Sequence, residues 1–150
     1  MISDMQSQQA YFAELERREP IASAVVYGLC YLILPISGQS PRFSPQYIHF
    51  DLLIAGRTKS VLSIRYDGEA WGGSLLSGSL DKPFAPRLRE LISDAGRLLG
   101  ARTSFGDVGH HTFIAGRSGR PGAALLAGHL TEMSDIVARI AAITRSTNPA

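Results

Sequence analysis

His49 and Asp51 stand two residues apart in the segment HFD, and on an extended strand that spacing puts both side chains on one face. A general base and the carboxylate that orients it need such an arrangement, so the pair is a candidate for proton-transfer chemistry. The chain has four histidines, and the other three, His110, His111 and His129, fall in its last third. Neighbouring residues on a strand point to opposite faces, so His110 and His111 diverge and read first as sheet histidines, one inward and one outward. One of them can meet His129 across a hairpin, but no Asp or Glu lies at a spacing that would complete a metal-ligand set. His49, Asp51, His110, His111 and His129 therefore form an alternative polar site, with no metal and no cofactor expected.

Gly116, Gly119 and Gly122 punctuate the segment DVGHHTFIAGRSGRPG, residues 107–122. Glycine-rich turns can aim backbone amides at a phosphate, yet a phosphate loop carries Lys and Ser or Thr directly after its last glycine, and a dinucleotide turn leads from a strand into a helix. An alanine- and leucine-rich stretch follows instead, so the segment reads as a hairpin with Arg117 and Arg120 solvated at its tip. Ser74 and Ser77 lie near glycines but outside a G-x-S-x-G elbow. Cys30 sits among apolar residues, where a buried thiol is unreactive, and reads as core. Trp71, between YDGE and two glycines, reads equally as an aromatic offered to a partner or as a lid over a sheet edge.

The totals narrow the classes. At 150 residues and 45% hydrophobic composition, the chain is expected to be one domain, 1–150, with a real core. Charged residues are only 19%, which argues against disorder and leaves few charges to solvate apolar surface, as in an oligomer or the partner of another protein. Net charge is +2; residues 1–80 carry six basic against seven acidic side chains and residues 81–150 nine against six. No basic stripe emerges, so nucleic acid is not the expected partner. A single cysteine excludes an intramolecular disulfide framework and fits a reducing compartment. The N-terminal residues lack a basic flank followed by an apolar run, and the most apolar segment, Ile21–Ile36, meets Pro35 before reaching the length of a membrane span. A cytoplasmic protein with no membrane association is expected.

The elements that would position these residues follow from periodicity. Ser3 and Gln6 make a capping box for a helix over Asp4–Arg18, ended by Pro20. Ala24–Leu34, rich in β-branched and aromatic residues and apolar throughout, reads as a strand covered on both sides. YIHFDLLIAG and SVLSIRYDG read as two strands joined by a short connection; YDGEAWGG reads as a turn, and SLLSGSL as a weak edge strand. Asp81 caps a helix whose Phe84, Leu88, Leu91, Ile92, Ala95, Leu98 and Leu99 share one face, stopped by Gly100. RTSFGDVGHHTFIAG and GAALLAGHL read as hairpin strands, Thr131 caps a last helix, and residues 146–150 fray. The order is αβββαββα, an α+β domain with an antiparallel sheet of about five strands and three helices.

That order, with the leading helix QQAYFAELERRE, the middle strands YIHFDLLIAG and SVLSIRYDG, and the late HHTFIAGRSGRPGAALLAGHL running into TEMSDIVARIAAI, resembles the small type III secretion chaperones of the bacterial cytosol. The resemblance covers most of the chain as a pattern. It implies a homodimer that holds an extended effector segment on apolar sheet and helix surface, through strand addition and shallow pockets. Val26, Leu32, Trp71, Leu75 and Leu76 are the expected partner-binding residues. An immunity or inhibitor protein that blocks a cognate toxin belongs to the same protein-binding class, and a ligand-binding or enzymatic domain using the histidines is the alternative from another class.

Overall fold

A computed structural model of the chain describes residues 4–54, 56–73, 85–101, 114–115 and 122–145. The first helix, α1, spans Asp4–Arg18, the bounds the sequence predicts. It buries Tyr11, Phe12 and Leu15, and the Tyr11 hydroxyl donates to the carbonyl of Ile64 at 2.9 Å.

A second helix, α2, occupies Pro20–Ser37 and corrects the strand expected over Ala24–Leu34. Ala22, Val25, Val26, Leu29 and Ile33 are buried, and their spacing is that of one helical face. The outward positions are apolar as well, which hides this period and mimics a strand covered on both sides. Pro20 occupies the first turn, where its missing N–H is not needed; Gly38 closes the helix at φ 70°, donating its N–H to Leu34 O at 2.8 Å. Pro35 is accommodated inside the helix rather than ending it.

The sheet is antiparallel and runs in sequence order: β1 (Arg42–Phe43), β2 (Tyr47–Ile54), β3 (Arg57–Arg65), β4 (Ala70–Gly72) and β5 (Ile114–Ala115). The predicted central pair is present as β2 and β3. Part of the expected YDGEAWGG turn is instead β4, because Ala70, Trp71 and Gly72 pair with Ile64, Ser63 and Leu62. A bulge shifts the β2–β3 register between Phe50 and Asp51: Phe50 opposes Leu62 while Asp51 opposes Ser60, leaving Val61 as the extra residue.

Helix α3 (Ala85–Leu98) buries Leu88, Leu91, Ile92 and Ala95 on the expected face, and Leu99 just beyond it is buried too. Ala123–Gly128, expected as a strand, forms a 3-10 helix; alanine, leucine and glycine carry no β-branch to favour extension. Its chain leads directly into α4 (Leu130–Arg145), which buries Met133, Val137, Ile140, Ala141 and Thr144. The α+β class holds, but among the described residues the order becomes two helices, four strands, a helix, a strand, the 3-10 helix and a last helix; the edge strand expected at SLLSGSL lies outside them, as does most of that expected at RTSFGDVGHHTFIAG.

One face of the sheet, carrying Ile48, Phe50, Leu52, Ile54, Leu62 and Ile64, packs into a continuous core with α1, α2 and α4. Burial of these side chains is the main stabilising term, at about 25 cal/mol per Å² of apolar surface. The opposite face carries His49, Asp51, Ser63 and Trp71.

Candidate functional site

His49 and Asp51 do share a face of β2, as their spacing requires, but each is engaged by other residues. The Asp51 carboxylate accepts from Arg42 Nε at 3.0 Å and from the Ser60 hydroxyl at 2.8 Å, and Arg42 Nη2 also donates to Ser60 Oγ at 3.2 Å. Arg42 reaches it from β1, and the bulge at Val61 turns Ser60 toward it. The His49 ring instead places Nδ1 2.7 Å from Ser63 Oγ on the paired strand and stacks on Tyr47 with centroids 5.6 Å apart. A buried carboxylate held by an arginine and a hydroxyl is a structural clamp between β1, β2 and β3.

Burial holds the His49 pKa below its ordinary 6.5; the Arg42 charge adds to the shift and Asp51 opposes it. The neutral ring is the form the fold prefers. Its stabilisation is complete above the unfolded value and is lost as pH falls through the lowered folded value. Urea unfolding at about pH 7.5 and about pH 5.5 is expected to show a larger loss for the wild type than for His49→Gln. Equal losses in the two proteins would remove His49 as the titrating group.

His129 lies elsewhere, at the junction of the 3-10 helix and α4, where its backbone carbonyl accepts the N–H of Met133 in the first turn of the helix. Its ring Nδ1 is 2.7 Å from Glu132 Oε1, a surface pair within one turn. The expected approach of His129 to a hairpin histidine needed a strand over Ala123–Gly128, and that strand is absent. His110 and His111 lie outside the described residues, as does most of the glycine-rich segment 107–122. Among the described residues, no three His, Cys, Asp or Glu side chains converge to hold a metal ion.

The expected partner-binding residues separate in the same way. Val26 is fully buried on the core face of α2 and offers no surface, a consequence of the helix replacing the strand. Leu32 is half-buried on the same helix, and Trp71 is half-buried on the polar side of the sheet. Trp71 Nε1 donates to Glu69 and its ring meets Tyr47 edge-on at 6.3 Å, so it is held in place by neighbours. Leu75 and Leu76 lie outside the described residues, as do Ser74 and Ser77.

A concave site that the sequence does not announce opens between α1, α2 and the segment leading into β1. Gln8, Phe12, Tyr27, Cys30, Ser40, Pro41, Arg42 and Phe43 surround a cavity of about 690 Å³. That lies within the roughly 300–1,000 Å³ usual for ligand pockets. Its wall is an aromatic cluster: Phe12 stacks on Tyr27 with centroids 4.4 Å apart and is tilted against Phe43 at 5.6 Å. Cys30 is half-buried here rather than enclosed in a strand, and burial pushes its thiol up to about 11. The cavity adjoins β1, a two-residue strand at one end of the sheet as described, so an apolar pocket and a short strand edge lie side by side.

Among the described residues, α2 is the one helix long and apolar enough to cross a membrane, with a mean hydropathy of 1.8. A core helix meets the same description, and one side of α2 is packed against α1, α4, β2 and the 3-10 helix. Comparison with protein-family models, with curated proteins and with solved structures finds no match to this chain.

Proposed function

We propose that this chain is a non-enzymatic protein-binding module of the cytoplasm that receives an extended apolar segment of another polypeptide. The observation that carries the reading is the apolar cavity beside the β1 edge. An extended segment laid along β1 would find backbone hydrogen-bonding groups there and one pocket for an apolar side chain, the combination by which strand addition gains both affinity and specificity. The most specific form of the proposal is a homodimeric type III secretion chaperone holding an effector segment. The edge and pocket favour such a segment over the folded domain that a toxin-immunity protein would meet. Enzymatic use of the histidines has less support, because His49 and His129 lie in different layers and Asp51 is held by Arg42 and Ser60.

Cys30 lines the cavity and is the chain's single cysteine, so its alkylation reports occupancy directly. The raised thiol pKa makes the free reaction slow but measurable at mildly alkaline pH. Arrayed peptides bearing one large apolar residue in an extended polar context are expected to bind, and the bound ones to slow Cys30 alkylation about tenfold or more, as roughly nine-tenths occupancy requires. Binding that leaves the alkylation rate unchanged, or no peptide binding at all, would overturn the reading.

A further inference from the structure

Backbone direction and side-chain face on β1 determine which residue of a bound segment would meet which feature of the pocket. Ser44 N–H donates to Tyr47 O at 2.9 Å and closes the turn between β1 and β2. Along an antiparallel strand the N–H and C=O of one residue face the partner strand, and those of the next face away. Ser44 faces β2, so the N–H and C=O of Phe43 point to the other side. Among the described residues no strand pairs with β1 on that side.

The side chains divide between the two faces. Phe43 pairs with Ile48, which is fully buried in the core, whereas Arg42 pairs with His49 on the polar face. The Phe43 ring belongs to the aromatic wall of the cavity, 5.6 Å from Phe12. Arg42 borders the cavity as well, and among the described residues it is the one charged residue that does so. Its Nε and Nη2 are taken by Asp51 and Ser60, while Nη1 makes no hydrogen bond to another described residue. The Arg42 side chain is 59% exposed and that of Asp51 6%, so the clamp hides its carboxylate and shows its guanidinium.

We infer that the segment received at β1 is read as two consecutive residues, a large apolar side chain, aromatic by preference, followed directly by an aspartate or glutamate. The inference deepens the protein-binding reading and rests on it. Every strand pair in the sheet is antiparallel. Added in that sense, one residue of the segment exchanges both hydrogen bonds with Phe43 and places its side chain on the Phe43 face, in the cavity. Phe12, Tyr27 and Phe43 there offer ring faces and edges to another aromatic. The next residue of the segment lies opposite Arg42 and points to the Arg42 face. This second pair exchanges no hydrogen bonds, the kind in which side chains approach most closely, with Cα atoms about 4.5 Å apart. Parallel addition would divide the two bonds of Phe43 between two residues of the segment, and an edge of two residues offers little else to hold it.

The test is binding of short synthetic peptides to the full chain, followed by fluorescence anisotropy, with Cys30 alkylation reporting occupancy of the pocket. A Ser- and Thr-rich peptide with a central Phe-Glu is expected to bind and to protect Cys30. Phe-Gln is expected to bind about fivefold more weakly, the upper end for opposite charges facing across a strand pair, and Phe-Lys more weakly again. The reversed order, Glu-Phe, is expected to bind no better than Phe-Gln. N-methylation of the peptide's Phe removes the amide that donates to Phe43 O and is expected to weaken binding about tenfold or more. N-methylation of its Glu, whose amide points away from β1, is expected to cost less than about threefold. Arg42→Gln, with its fold checked by circular dichroism, is expected to bind Phe-Glu and Phe-Gln alike. The peptide changes leave the protein unaltered, so they decide the matter even where that variant does not fold. Peptides that protect Cys30 but bind equally with Phe-Glu, Phe-Gln and Glu-Phe, or that tolerate N-methylation at Phe, overturn the inference and leave the binding module standing. Failure of every peptide to bind overturns both.

Discussion

Tyr11→Ala is expected to lower unfolding free energy by about 3–5 kcal/mol, because a fully buried aromatic ring is removed from the junction of α1 with the sheet. The ring is 0% exposed and lies edge-on to Phe12 and Phe43, with centroids at 5.3 and 5.8 Å. Its hydroxyl donates to Ile64 O at 2.9 Å, which ties the first helix to β3 across 53 residues of sequence. Tyr11→Phe keeps the packing and leaves that bond unmade, so it is expected to cost about 1 kcal/mol. Urea unfolding of both variants separates the two contributions. A Phe variant as unstable as the Ala variant would place the stabilisation in the hydroxyl, and an Ala variant within about 1 kcal/mol of wild type would remove Tyr11 from the core.

The same residue carries a pH signature. Burial pushes the Tyr11 phenol well above its ordinary 10.0, with the Cys30 and Asp67 charges adding to the shift. The folded state therefore keeps the proton at a pH where the unfolded chain loses it. Stability from this group is complete below the unfolded value and declines as pH rises beyond it. Tyr11→Phe should flatten that alkaline decline. Both effects matter for the cavity, since Tyr11 packs behind Phe12 and Phe43, two of its walls.

What the sequence reveals here depends on contrast between faces. In α3 the buried Leu88, Leu91 and Ile92 alternate with Arg87, Arg89 and Glu90, so the helical period is visible, and β2 and β3 show their apolar runs between turn residues. In α2 the same period is present but Tyr27, Tyr31 and Leu34 fill the other side, so composition alone suggests a covered strand. The punctuation was informative there: Pro20 starts a helix and Gly38 ends one, and the segment between them is longer than most strands. The His49 and Asp51 face was legible from spacing, whereas Arg42 and Ser60 reach Asp51 only through strand pairing and a bulge that no local pattern encodes. The cavity is assembled from residues near positions 8–12, 27–30 and 40–43, three segments joined by the turn of one helix against another. A strand over Ala24–Leu34 would enclose Cys30; on the helix the same residue reaches the rim of the groove.

Gly73→Ala is expected to destabilise by at least about 3 kcal/mol, at the upper end of overpacking costs, because the clash is with main chain. A Cβ on Gly73 would fall far inside van der Waals contact distance of the Ser60 carbonyl oxygen and carbon, and would sit 2.9 Å from Ser60 Cβ. The close approach arises where Gly73, just past β4, runs on alongside β3 at the bulge, its N–H donating to Val61 O at 3.4 Å. A flexible side chain could move aside, but the Ser60 carbonyl belongs to a strand whose neighbour side is fixed by β2. Relief would have to come from displacing β3 or β4, and displacing β3 moves Ser60 away from Asp51. Loss of stability should therefore be accompanied by loosening of the Arg42–Asp51–Ser60 clamp, seen as faster hydrogen exchange of the β2 and β3 amides around Asp51 and Ser60. Gly73→Ala within about 1 kcal/mol of wild type, with exchange in β2 and β3 unchanged, would mean that Gly73 does not lie against the Ser60 carbonyl.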